Sequence, residues 1–182
     1  MKGNLLVILV AVIAAIASAM YVSNKLQTRQ NKIFEQTFIN AKASVSAPKL
    51  SRNADTEKQA KEELKDPNAE VYFYTRNIRG VEYSLVYAKY PAQASFDGAI
   101  AGIANTFKNY NFQYTTKENK INDLDGVLLT GSFNKNETSY GIKEQFVKDN
   151  NTFWQFIVVF RNEYNNADLA QNYIDSIKII KE

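Results

Sequence analysis

Residues 152–161 read TFWQFIVVFR. Apolar side chains occupy both phases of a two-residue period, so a strand here is covered on both faces and belongs at the centre of a sheet. Upstream, Asp149-Asn150-Asn151 makes a hairpin connection from a strand over Tyr140–Lys148. Asn134–Ser139 is a turn after a strand over Val127–Phe133, and Asp123-Leu124-Asp125-Gly126 is a turn after one over Phe112–Thr116. Earlier still, strands over Val71–Thr75 and Val81–Tyr90 flank the turn-like stretch Asn77–Gly80, and Pro91 ends the second. Ser95 offers an N-cap to a helix over Phe96–Asn109, whose Phe96, Ile100, Ile103 and Phe107 form one apolar stripe. Asn165 or Asn166 starts a last helix through Ser176, with Leu169, Ala170, Tyr173, Ile174 and Ile177 as its buried side. The order ββ-α-ββββ-α predicts an α+β domain of about six antiparallel strands with helices packed on the sheet.

Before this domain lies an uncharged run from Leu5 to Val22, LLVILVAVIAAIASAMYV. As a helix its roughly 18 residues span about 27 Å, just enough for a hydrocarbon core of about 30 Å. One reading is a signal peptide, with Lys2 as its positive end and Ala17-Ser18-Ala19 as the cleavage site, and the protein is then secreted after Ala19 is released. The other is an uncleaved anchor, because Met20, Tyr21 and Val22 continue the apolar run and Tyr21 suits the headgroup level. The anchor is the expectation followed here. It divides the chain into a membrane segment (1–22), a charged, partly helical linker (23–69) and a folded domain (70–182). A strict positive-inside count, with Lys25, Arg29 and Lys32 after the span, puts the domain in the cytoplasm. The short N-terminal tail instead resembles an export signal, which puts the domain on the periplasmic or cell-surface side.

Within the linker, residues 24–43 read as a helix extending the membrane segment. Ile33, Phe34, Phe38 and Ala41 make a narrow stripe for packing on the domain, on lipid or on a second copy, so an oligomer could form here. Ala43–Arg52 reads as a break. Ala54–Lys65 is a polar helix with Asp55 and Glu57 near its start and Lys61 and Lys65 near its end, and Asp66-Pro67-Asn68 stops it.

The chain of 182 residues carries a net charge of +3 and has neither cysteine nor histidine. Disulfides, thiolate or imidazole metal sites, cysteine nucleophiles and Ser-His-Asp triads are excluded. The positive excess lies in the linker, whose early part, up to Arg52, carries Lys25, Arg29, Lys32, Lys42, Lys49 and Arg52 against Glu35 alone. The domain is close to neutral, which argues against nucleic acid. Beside a bilayer the linker charges could rest on anionic headgroups.

Chemistry-bearing motifs are sparse. Asp123 and Asp125, near Asn119 and Asn122, could offer oxygen ligands to a hard cation, but no bidentate Glu follows Gly126 and an Asx turn is expected. Gly98 and Gly102 fall inside a helical pattern rather than before it, unlike a phosphate loop. Glu82, Glu118, Glu137 and Glu144 are candidate acids, yet no spacing pairs them, and Glu144 is expected on a solvent face. No catalytic residue, metal or cofactor is expected. The candidates for ligand or partner contact are Trp154, Tyr83, Tyr87, Tyr114 and Tyr140. A tyrosine-rich sheet face suits protein or glycan contact, and it suits cross-strand pairing equally. Trp154 reads as core packing or as the wall of a ligand cleft.

The run Val81–Pro91, the helix opening Phe96-Asp97-Gly98-Ala99, Leu124-Asp125-Gly126, Gly141-Ile142-Lys143, the strand from Phe153 and the closing Ala170–Lys178 together resemble the PsbP/Mog1/DcrB-like superfamily of small α/β domains. The resemblance covers about residues 70–180, and Tyr173-Ile174 followed by Ser176-Ile177-Lys178 is its most typical part. It implies an exported or membrane-tethered accessory or binding protein without a catalytic signature, and the anchor and linker depart from the photosystem branch. The functional expectation is a non-enzymatic, membrane-tethered, extracytoplasmic accessory domain that contacts a protein of the envelope. The alternatives are a small-molecule or lipid-binding module with a cleft near Trp154, and an envelope-associated enzyme using Asp123, Asp125 or Glu144.

Overall fold

The computed structural model describes residues 32–64, 69–78, 80–89, 95–162 and 166–180. The predicted membrane segment 1–22, its cleavage site and the stop at Asp66-Pro67-Asn68 lie outside them. Among the described residues no helix is long and apolar enough to cross a membrane.

The α+β antiparallel class is observed, with more strands than expected. The main sheet has seven strands: β3 (Ser51–Arg52), β4 (Glu70–Ile78), β5 (Val81–Lys89), β6 (Gln113–Glu118), β7 (Asp125–Lys135), β8 (Thr138–Asp149) and β9 (Thr152–Arg161). Their order is β3-β4-β5-β9-β8-β7-β6, every neighbour antiparallel. The TFWQFIVVFR stretch is indeed central, with β5 on one side and β8 on the other.

The larger departure lies in the predicted linker. Residues expected to be helical form β1 (Phe34–Phe38), and residues expected to be a break form β2 (Ala43–Ala47); the two pair with β10 (Lys178–Ile179) as a second, three-stranded sheet. The reason is visible in the packing. Ala43, Val45 and Ala47 alternate into the core, so a two-residue period buries apolar surface that the narrow helical stripe would have left half exposed. Lys42 takes a left-handed φ of 48° in the turn between the strands. The polar helix α1 (Ala54–Leu64) is observed, and Asn53 caps it by accepting the Thr56 N–H at 3.1 Å.

The molecule has three layers. One face of the main sheet, including Phe73, Val86, Phe133, Phe146 and Ile157, lies under α1 and α2 (Phe96–Phe107). The other face, including Tyr83, Leu85, Trp154, Phe156 and Val158, lies under the small sheet and α3 (Ala167–Asp175). Ser95 caps α2 as expected, accepting from the Gly98 N–H. In α3, Ala170, Tyr173 and Ile174 are buried, but Leu169, expected on that side, is exposed.

Candidate functional site

Four of the five predicted contact side chains are structural. Trp154 is 3% exposed. It stands opposite Tyr87 across β5 and β9, with the rings edge to face and centroids 5.7 Å apart. Its indole N–H donates to the Ala41 carbonyl at 2.7 Å, so its polar edge is committed to the small sheet rather than to a ligand. Tyr83 packs edge to face on Tyr173 at 5.4 Å, and burial pushes its hydroxyl up to about 12. Tyr173 in turn donates to the Ser84 carbonyl at 2.7 Å. Tyr140 stacks on Phe133 with an interplanar angle of 11°. These residues are buried, so they offer a partner no surface; Trp154 follows the core-packing reading, and the small sheet occupies the place of the alternative cleft. The sequence signal for that cover was the Ala43, Val45, Ala47 alternation.

Tyr114 is the exception. It is 42% exposed on β6, the edge strand of the main sheet, and stacks on Phe112 at 5.1 Å. All six residues of β6 are exposed. Among the described residues β6 pairs with β7 alone, so its outer backbone groups face solvent. Lys117 and Glu118 place both signs of charge at the far end of the same strand. The strand is held at its end by the Ile121–Leu124 hairpin, where Asn122 and Asp123 both take left-handed φ values, and by Asn119, whose N–H donates to the Gly126 carbonyl at 3.0 Å. Asp123 is therefore a turn residue, and Asp125 faces Lys120 at 3.7 Å.

The acids do not converge. Glu144, expected on a solvent face, is fully buried at 0% exposure. The expectation fails because β8 is an interior strand with helices over one face and α3 over the other, so it has no solvent face. Glu144 stands beside Ile157 of β9, and Ser84 of β5 stands on the far side of that residue. Gln155 lies one step along, opposite Phe146. Neither carboxyl oxygen of Glu144 and neither amide atom of Gln155 has a hydrogen-bond partner. Burial holds the Glu144 carboxyl well above the ordinary carboxylate range. Asp125 pairs with Lys148, four residues along β8 from Glu144, a separation of about 13 Å at a strand rise of about 3.3 Å per residue. Among the described residues no three acidic side chains gather where they could hold a metal ion.

One carboxylate that sequence reasoning assigned only to the helix dipole has a larger part. Glu57 is buried, accepts the Phe73 N–H at 2.9 Å, and is gripped by the Arg52 Nε and Nη2 at 2.7 to 3.0 Å. It ties α1, β3 and β4 together.

No protein-family profile matches this chain. No curated protein matches it either. Solved structures do. Cyanobacterial PsbP (CyanoP) from Synechocystis is 6% identical with a TM-score of 0.56, covering 87% of this chain and 98% of its own. A protein of unknown function, PA94 from Pseudomonas aeruginosa, is 11% identical with a TM-score of 0.43, covering 79% of this chain and 94% of its own. LpqN of Mycobacterium tuberculosis, involved in cell envelope biogenesis, is 14% identical with a TM-score of 0.41, covering 64% and 66%. The likeness to PsbP bears out the resemblance as one of fold: this chain has a PsbP-like fold.

Proposed function

We propose that this chain is an accessory domain tethered outside the cytoplasm by residues 5–22, which acts by contacting an envelope protein and performs no chemistry of its own. The observation that supports the contact is β6. Its six exposed residues present an unpaired backbone edge with Tyr114 beside it, the arrangement that an added strand from a partner completes. Main-chain hydrogen bonds would supply affinity, and Tyr114 the aromatic anchor that interfaces favour. The apolar run Leu5–Val22 supports the tether. An enzymatic reading has less support, since Glu144 is closed off in the core, Asp123 belongs to a turn, and Asp125 opens β7 beside Lys120.

The test is made in whole cells carrying the full chain with a C-terminal tag. External protease should remove the tag, and the intact chain should stay with carbonate-washed membranes. A photo-crosslinking residue at position 114 should trap one envelope protein, while the same residue at Ala101 on α2 should not. A tag protected from protease in intact cells, or equal trapping at both positions, would defeat this reading.

A further inference from the structure

Large apolar side chains are exposed at six places among the described residues, and four of these belong to the small sheet: Ile33, Phe34, Ile39 and Ile180. Ile39 is the most exposed, at 82%, in the turn that ends β1. Ile180 lies at the same end of the sheet, because its N–H donates at 2.8 Å to the carbonyl of Lys42, whose own N–H bonds back to Ile39. Ile33 and Phe34 lie at the opposite end of β1. There Phe34 faces Ala47, which brings the exposed Lys49 close to the exposed Lys32. In the middle, Lys178 holds Glu35 at 2.8 Å, so this acid of β1 is neutralised by its neighbour.

We infer that the outer side of the small sheet lies flat on a bilayer of anionic phospholipid, with Ile33, Ile39 and Ile180 entering the headgroup layer, while Phe34, opposite the buried Ala47, stays on the inner side. This rests on the proposed tether and goes beyond it. Two arguments favour lipid over other occupants. The first is reach. Ten residues separate Val22 from Ile33, and the eleven steps between them, at about 3.3–3.6 Å each, extend at most about 40 Å, so β1 cannot stray far from a membrane that holds residues 5–22. The second is charge. The cations beside the Ile33 end, Lys32 and Lys49, continue the basic run of Lys25 and Arg29, and lysines near an anionic surface add to apolar insertion. The small sheet thereby orients the domain: the opposite layer, α2, points away from the lipid.

The absence of cysteine makes a clean test possible. Full-length chains carrying Ile39→Cys, Ile180→Cys or Ala101→Cys are labelled with an environment-sensitive fluorophore and reconstituted into vesicles of phosphatidylcholine and phosphatidylglycerol. A quencher attached to the lipid at headgroup depth should quench the labels at 39 and 180 several-fold more than the label at 101. Replacing phosphatidylglycerol by phosphatidylcholine should reduce that difference. Position 39 is informative because it is at the end of β1 away from the tether, where connectivity alone does not force contact. Equal quenching at all three positions in chains that resist a carbonate wash overturns this inference and leaves the tether standing. Chains that wash off the vesicles overturn both. Shielding of position 39 in detergent that grows with protein concentration assigns the surface to a second copy and also overturns it.

Discussion

The indole of Trp154 and the carbonyl of Ala41 are joined across 2.7 Å, although 113 residues separate them in the chain. The bond fastens the turn of the small sheet to the central strand of the main one, and both groups are buried. Trp154→Phe keeps an aromatic body and removes the donor, which leaves the Ala41 carbonyl unsatisfied in the core. A buried acceptor without a partner costs about 1–3 kcal/mol. Urea unfolding followed by circular dichroism should show a loss in that range, and amide exchange in β1 and β2 should quicken more than in β7. An unchanged midpoint would show that the bond contributes nothing to holding the small sheet.

Glu144 gives the fold a pH dependence of definite sign. Its folded value lies above the ordinary 4.5, so the native state binds a proton that the unfolded state releases. Its contribution is fully present below the unfolded value and is lost as pH rises from there through the raised folded value. Glu144→Gln removes the ionisation and keeps the shape. The variant should match the parent at about pH 4 and exceed it increasingly towards neutral and alkaline pH, as read from thermal midpoints. Parallel curves across that window would refute the assignment.

How much of this could be read in the chain differs sharply between its halves. From Val71 to Arg161 the alternation is strong and the turns are built from Asn, Asp and Gly, so strand identity and order were legible; of the five aromatic side chains singled out for contact, Tyr114 alone is exposed. Residues 34–47 were ambiguous. Phe34 and Phe38 are four apart and satisfy a helical period as well as a strand period. Between them Gln36 faces inward, where it donates to the Ala47 and Pro48 carbonyls and accepts from the Leu50 N–H. A polar residue on the buried face hides the alternation, and only the tertiary hydrogen bonds explain its place. That one ambiguity hid which element covers Trp154, although the strand itself reads as covered on both faces. The Glu144 error has a different origin, since local alternation cannot tell whether a strand's second face meets solvent or a helix.

Glu57 should be the most sensitive charged position. Glu57→Ala frees the buried Phe73 N–H and the Arg52 guanidinium together. The unsatisfied amide costs about 1–3 kcal/mol. The ion pair adds little to this, because the Arg52 side chain is half exposed and can return to water. Glu57→Gln keeps an acceptor for Phe73 and should recover most of the loss, whereas Arg52→Ala should cost less than Glu57→Ala. Hydrogen exchange would place the damage in α1 and β4. If Arg52→Ala proved as harmful as Glu57→Ala, the ion pair rather than the amide bond would be what secures α1.

Gly126 controls where β6 lies. A Cβ built on it would come within 2.3 Å of the Asn119 carbonyl oxygen and 2.8 Å of the Phe146 carbonyl oxygen. Both are backbone atoms, fixed by the β7–β8 ladder on one side and by the Asn119–Gly126 bond on the other, so neither can yield as a flexible side chain would. Gly126→Ala must therefore push the end of β6 away from β7, at the 1–3 kcal/mol typical of overpacking. Amide exchange at Lys117 and Glu118 should rise, while exchange in β4, four strands from β7 in the order β4-β5-β9-β8-β7, should not change. Because the proposed partner strand would lie on the outer side of β6, the same variant should also weaken photo-crosslinking from position 114 without releasing the chain from membranes. Normal crosslinking in a variant whose β6 amides exchange freely would mean that the partner does not read this edge.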